Sequence, residues 1–114
     1  MDRPIYINMQ TENVEIGTEI KYACKIKPID GLSIGQYDFY IESYCNPGQK
    51  VITTKEDAIM LNDNSVLVCV DSNIVGVGQL KCKVVAYIPD SKYPDGLRTE
   101  IKVLPTPYRI VRTV

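Results

Sequence analysis

The stretch Thr18-Glu19-Ile20-Lys21-Tyr22-Ala23-Cys24-Lys25-Ile26-Lys27 decides the fold class. Ile20, Tyr22, Cys24 and Ile26 fall on one side of an extended chain; Glu19, Lys21, Lys25 and Lys27 fall on the other, with Ala23 small among them. Successive side chains of a strand point to opposite faces, so a period of two marks a strand with one buried and one wet face.

Outward from this stretch the same pattern recurs. Tyr37–Tyr44 sets Tyr37, Phe39 and Ile41 against Asp38, Tyr40, Glu42 and Tyr44. Ser65–Asp71 puts Val66, Val68 and Val70 on one face. Gln79–Ile88 aligns Leu80, Cys82, Val84, Ala86 and Ile88 opposite Lys81 and Lys83, and its outer face turns apolar at Val85 and Tyr87, so that half needs a cover. Shorter strands are expected at Pro4–Asn8, Lys50–Thr54, Ala58–Leu61, Leu97–Leu104 and Tyr108–Val114. Lys55-Glu56-Asp57 is a polar break that could equally cap one helical turn, and Pro105-Thr106-Pro107 splits the last two strands.

The strands are separated by turn chemistry roughly every 8–15 residues, the spacing of a sandwich or barrel. Asp30-Gly31 and Gly35 make a loop, and Asn62-Asp63-Asn64 makes a turn. In Asn46-Pro47-Gly48-Gln49, Pro at the second and Gly at the third position predict a type II turn, in which the third residue needs positive φ. The run from Pro89 to Gly96 reads as a type I turn closed by a left-handed Gly. The expected fold is all-β: one antiparallel β-sandwich of eight or nine strands over residues 1–114, immunoglobulin-like, with an open barrel as second choice.

Composition agrees. The chain has 14 Ile and 12 Val against 6 Leu and 3 Ala, with 7 Thr and 8 Tyr, a bias toward residues that pack on a pleated surface. At 114 residues and 45% apolar it is one domain, too ordered in composition for a disordered chain. Thirteen Lys and Arg balance 14 Asp and Glu, which disfavours a nucleic-acid binder, and no apolar run reaches the ~20 residues of a membrane span. Met1-Asp2-Arg3-Pro4 opens no targeting segment, so a chain starting natively there is expected to fold in a cytoplasm.

The same counts narrow the chemistry. There is no His, so neither a Ser–His–Asp nor a Cys–His mechanism can be assembled, and the commonest metal ligand is missing. Paired carboxylates remain, yet the acids lie in turns (Asp30, Asp63, Asp90, Asp95) or on wet strand faces (Glu19, Asp38, Glu42, Glu100), where solubility explains them. Gly76-Val77-Gly78 lacks the Lys-Ser/Thr of a phosphate loop and leads into a strand, and the Asn/Asp turns lack the oxygen spacing of a calcium loop. The expectation is a non-enzymatic protein without cofactor or metal.

Cys24, Cys45, Cys69 and Cys82 are spaced by 21, 24 and 13 residues, with no Cys-x-x-Cys pair, and read as buried reduced thiols. Cys24 and Cys82 share the inward phase of their strands, as an inter-sheet pair requires. The Trp that accompanies the immunoglobulin disulfide is absent, Leu80 stands where its tyrosine corner would need Tyr, and cytoplasmic synthesis disfavours the bond. That disulfide is not expected.

Two features point to association. Tyr37, Tyr40 and Tyr44 lie on one short segment with opposed faces, and Tyr is favoured at interfaces and sugar sites because its ring is apolar while its hydroxyl stays hydrated. Tyr108-Arg109-Ile110-Val111-Arg112-Thr113-Val114 is apolar to its end, as in a strand docked within its own chain or on a neighbour. Arg98, Lys102, Arg109 and Arg112 make this third of the chain locally basic.

Ala58-Ile59-Met60-Leu61-Asn62-Asp63-Asn64, the strand ending at Asp71, Gly76-Val77-Gly78-Gln79-Leu80, Ile88-Pro89-Asp90 and Tyr93-Pro94-Asp95-Gly96-Leu97-Arg98-Thr99-Glu100 together resemble a known family. They are similar to the small immunoglobulin-like β-sandwich modules of tailed-phage and prophage structural proteins, including amino-terminal modules of baseplate and tail-fibre proteins. The resemblance covers the second half of the chain and rests on turn chemistry and strand packing. It implies a virion component, made in a host cytoplasm, whose partners are copies of itself and other virion proteins, with neither nucleic acid nor membrane among them. The contact residues expected are Tyr40, Tyr44, Tyr87, Tyr108, Ile110 and Val111, whose phase or position leaves them outside the primary core. The alternative is a carbohydrate-binding or adhesion module on a phage or bacterial surface, with a host glycan as ligand.

Overall fold

A computed structural model describes residues 11–113, and these form two packed β-sheets. The strands are β1 (Glu12–Glu15), β2 (Glu19–Lys25), β3 (Asp38–Asn46), β4 (Gln49–Thr54), β5 (Ile59–Asn62), β6 (Ser65–Asp71), β7 (Gly78–Pro89) and β8 (Leu97–Val111). One sheet has the order β1-β8-β7-β3-β4 and the other β2-β6-β5. All neighbours are antiparallel except β1, which runs parallel to β8. The second, third and fifth-to-eighth strands divide between the sheets as in an immunoglobulin sandwich. The expected strand at Pro4–Asn8 lies outside the described residues.

The decisive stretch behaves as its alternation requires. Along β2, Ile20, Tyr22 and Cys24 are buried and Glu19, Lys21, Ala23 and Lys25 exposed. They meet Val66, Val68 and Val70 of β6 across the ladder, and pack on Phe39 and Ile41 of β3 and on Leu80, Cys82, Val84, Ala86 and Ile88 of β7. Ile34, in a 3-10 turn at Ile34–Gln36, plugs one end of this core, and Val75 belongs to it from α1 (Ser72–Val75). That single helical turn is started by the Asp71 carboxylate, which accepts the Asn73 N–H at 3.0 Å, and stopped by Gly76 at φ +80°.

Cys24 and Cys82 occupy the inter-sheet positions anticipated for them. Their sulfurs lie 3.5 Å apart as free, buried thiols. The hydrogen bond to Cys82 and burial both push the Cys24 thiol up, so neither water nor a base has easy purchase on it. Beside them the Tyr22 hydroxyl pairs with that of Ser43 at 2.7 Å, which lets both polar groups stay in the core. Tyr37, by contrast, has a buried hydroxyl without a partner among the described residues.

Four expectations are corrected. Cys69 is not a buried thiol: it takes the outward phase of β6 opposite Lys21, between the inward Val68 and Val70, and is exposed. Gly48 does not take positive φ, so Asn46–Gln49 is not a type II turn; the hairpin closes with a register shift between Tyr44 and Asn46. Leu97–Leu104 and Tyr108–Val114 are not separate strands, because β8 runs unbroken through Pro105-Thr106-Pro107. The pairing moves from Gln79 opposite Arg109 to Lys81 opposite Pro105, so β8 carries extra residues there. Side chains replace the ladder bonds that proline cannot make: the Gln79 amide donates to the carbonyls of Thr106 (2.8 Å) and Tyr108 (2.9 Å), and the Thr106 hydroxyl donates to the Leu80 carbonyl at 2.7 Å. Finally, Ile110 is not outside the primary core. It is fully buried, since β8 is held between β1 and β7 there and turns Ile110 inward.

Candidate functional site

Two prolines fix which way the backbone of β8 faces. Pro89 stands opposite Leu97 and Pro105 opposite Lys81. Neither proline has an N–H, so these are the pairs of the β7–β8 ladder that exchange no hydrogen bond. The Asp90 N–H donating to Gly96 at 2.8 Å agrees with this alternation. Thr99, Ile101 and Val103 therefore direct their N–H and C=O groups away from β7. β1 covers β8 only from Tyr108 to Val111, and among the described residues no strand pairs with the outer edge of β8 over Leu97–Pro107.

The side chains of β8 are reversed relative to those of β2. Arg98, Glu100 and Lys102 stand opposite the inward residues Ile88, Ala86 and Val84, so the charged side of β8 faces the second sheet. The three strands of that sheet do not extend over β8. They leave a cleft of about 260 Å³ bounded by Ile26, Ile29, Val84, Glu100, Lys102 and Leu104. Arg98, next along the same side of β8, bonds Asp90 at 2.6 Å, Asp30 at 2.9 Å and Glu100 at 3.0 Å. These carboxylates hold the guanidinium's pKa up; the Lys92 N–H and then Arg98 hold Asp90 below its ordinary value. The locally basic C-terminal third thus loses Arg98 to an internal cluster.

The apolar side of β8 consequently faces out. Ile101 is 57% exposed, Val103 56% and Leu97 43%. On the same outer face stand Val85 and Tyr87 of β7, Tyr40 and Tyr44 of β3, and Ile52 of β4, the last 53% exposed. Tyr40 and Tyr87 lie with ring centres 6.4 Å apart and planes tilted by 41°, and burial of Tyr87 together with Tyr40 raises the Tyr87 pKa. They wall an open groove of about 620 Å³ with Asp38, Glu42, Lys50 and Ile52, floored by the Glu42–Lys50 ion pair at 3.3 Å. A surface of this kind, apolar and rimmed with charge, is what macromolecular contacts use.

The structure brings together three of the six expected contact residues, Tyr40, Tyr44 and Tyr87, each half-buried on this face. Tyr108 is half-buried elsewhere, its hydroxyl donating to the Lys21 carbonyl at 3.3 Å and so tying β8 to β2. Val111 is half-buried opposite Glu15 of β1, and Ile110 belongs to the core. Leu97, Ile101, Val103 and Ile52 were missed. Their signal was present, since Leu97-Arg98-Thr99-Glu100-Ile101-Lys102-Val103 alternates as cleanly as β2. β5 at the far edge of the smaller sheet adds exposed Ile59, Met60 and Leu61.

Comparisons with protein families, curated proteins and solved structures return no match to this chain. Among the described residues no group of three or more His, Cys, Asp or Glu is placed to hold a metal ion, and no helix is long and apolar enough to cross a membrane.

Proposed function

We propose that the protein is a non-enzymatic structural component that works by association with other proteins through the outer face of its five-stranded sheet. The observation that carries this reading is the reversed β8, which turns its apolar residues Leu97, Ile101 and Val103 to solvent while Arg98 and Glu100, half-buried, and Lys102, exposed, stand on the side of the second sheet. Burying apolar area stabilises by about 25 cal/mol per Å², so these side chains with Ile52, Tyr40 and Tyr87 supply the driving force of a contact. The resemblance of the chain from Ala58 onward to phage and prophage modules supports a virion as that assembly. The test is co-sedimentation with particles in lysates of cells that make them. The wild-type chain travels with the particle and Ile52→Lys/Ile101→Lys/Val103→Lys, equally stable, stays behind. A wild-type chain that never sediments with particles contradicts the reading.

A second reading, glycan binding, is favoured by the tilted Tyr40–Tyr87 pair beside Asp38 and Glu42. Sugar rings stack on such aromatic faces while carboxylates accept hydrogen bonds from their hydroxyls. A glycan-array signal lost in Tyr87→Ala would establish it.

A further inference from the structure

The edge of β8 over Leu97–Pro107, with which no strand pairs among the described residues, is self-complementary, and we propose that its occupant is a second copy of this chain, joined by antiparallel pairing of β8 about a twofold axis at Ile101. The inference rests on the association reading above and names its partner.

Three observations select this register. First, the hydrogen-bonding groups fit. Thr99, Ile101 and Val103 turn their N–H and C=O outward, so Ile101 pairs with Ile101 of the second copy and Thr99 with its Val103. Second, the ladder ends where the sequence stops it. Leu97 falls opposite Pro105 of the second copy; Pro105 has no N–H, and the Leu97 N–H is already donated to the Asp95 carboxylate at 3.1 Å. Third, the charges agree. Glu100 falls opposite Lys102 of the second copy and Lys102 opposite its Glu100, in the pairs whose side chains approach most closely. Lys102 has no ion-pair partner among the described residues.

Neighbouring registers that keep the same faces together are penalised by the same residues. Shifting the axis to Glu100 sets that carboxylate against its own copy and Arg98 against Lys102; shifting it to Lys102 sets ammonium against ammonium. Charge directed inward from an edge strand ordinarily discourages pairing, and here it discourages both registers adjacent to this one. The joined sheets present Ile101 and Val103 of both copies as one apolar face, doubling the surface offered to larger partners.

The experiment is sedimentation equilibrium of the purified full chain with two charge variants, each checked for an unchanged thermal transition. Wild type forms a dimer with rising concentration. Glu100→Lys alone and Lys102→Glu alone stay monomeric, because each sets like charges opposite each other at both ends of the contact. An equimolar mixture of the two variants restores the dimer, as a one-to-one heterodimer, because every opposing pair is again of opposite sign. Three results overturn the proposal: a wild type that stays monomeric throughout, single variants that dimerise as well as wild type, or a mixture that remains monomeric. A monomer whose Thr99, Ile101 and Val103 amides are protected from exchange assigns the edge to the chain's own residues instead. Each leaves co-sedimentation with particles, and hence the association reading, to stand or fall on its own result.

Discussion

β2 and the first half of β8 are written in the same pattern and used in opposite senses. Both alternate apolar with charged residues. In β2 the apolar side enters the core and the lysines meet water; in β8 Arg98, Glu100 and Lys102 face the second sheet and Ile101 and Val103 meet water. The difference lies in what stands above each strand. β2 is covered by a sheet of five strands, whereas β8 extends past a sheet of three, over a cleft where charged side chains keep their hydration and Arg98 finds Asp30 and Asp90. Alternation sets the phase of a strand; the neighbouring layer sets its direction.

The largest expected effect is a direct break of this comparison. Ile20→Lys places an ammonium in the inter-sheet core and abolishes the cooperative unfolding transition in urea. Ile101→Lys, the same change on β8, leaves the unfolding free energy within about 0.5 kcal/mol of wild type. Equal losses in the two variants would refute the reversal of β8.

The bulge that lets β8 continue past its prolines comes next. Thr106→Val keeps the shape but leaves the Leu80 carbonyl only the Gln79 amide at 3.5 Å and removes the oxygen that accepts the Tyr108 N–H, at a cost of about 1–3 kcal/mol in the same titration. No change would mean that the hydroxyl does not stand in for the ladder.

Two core tyrosines sharpen the account of the region β2 covers. Tyr22→Phe strands the Ser43 hydroxyl and costs about 1–2 kcal/mol, while Tyr37→Phe removes a hydroxyl that has no partner and is neutral or stabilising. The opposite ranking in thermal melts contradicts the hydrogen-bond assignments.

The smallest effect is on the acid limb. The Lys92 N–H and Arg98 hold the Asp90 pKa below its unfolded value, so the folded state keeps the carboxylate charged where the unfolded chain has begun to take up a proton. The stability this contributes is complete above the ordinary Asp value of about 4 and is lost as pH falls through the folded one. Arg98→Gln therefore makes the loss of stability below pH ~4 shallower, without altering the neutral plateau's shape. An unchanged acid limb would show that Arg98 does not act on Asp90 beside the Lys92 N–H.

The fold was legible because its evidence is local. The strands at β2, β3, β6 and β7 follow from the period of Ile20, Phe39, Val68 and Val84, and the left-handed Gly96 follows from the composition of its turn. What escaped was decided by distant partners. Pro105 and Pro107 read as a strand break because nothing near them shows that Gln79 supplies the missing donor. Ile110 read as an outlying residue because its burial depends on β1 and β7 holding β8 in place. The candidate site was half legible: Tyr40, Tyr44 and Tyr87 follow from strand phase, whereas Ile101 and Val103 depend on the width of the opposite sheet.

The most direct test of the central claim is the solvent exposure of individual methyl groups, measured by nuclear magnetic resonance with a soluble paramagnetic agent at low protein concentration. The account predicts strong broadening at Ile101, Val103 and Ile52 and none at Ile20, Ile41, Val66 or Val68. Ile101 and Val103 methyls as shielded as that of Ile41 would contradict it.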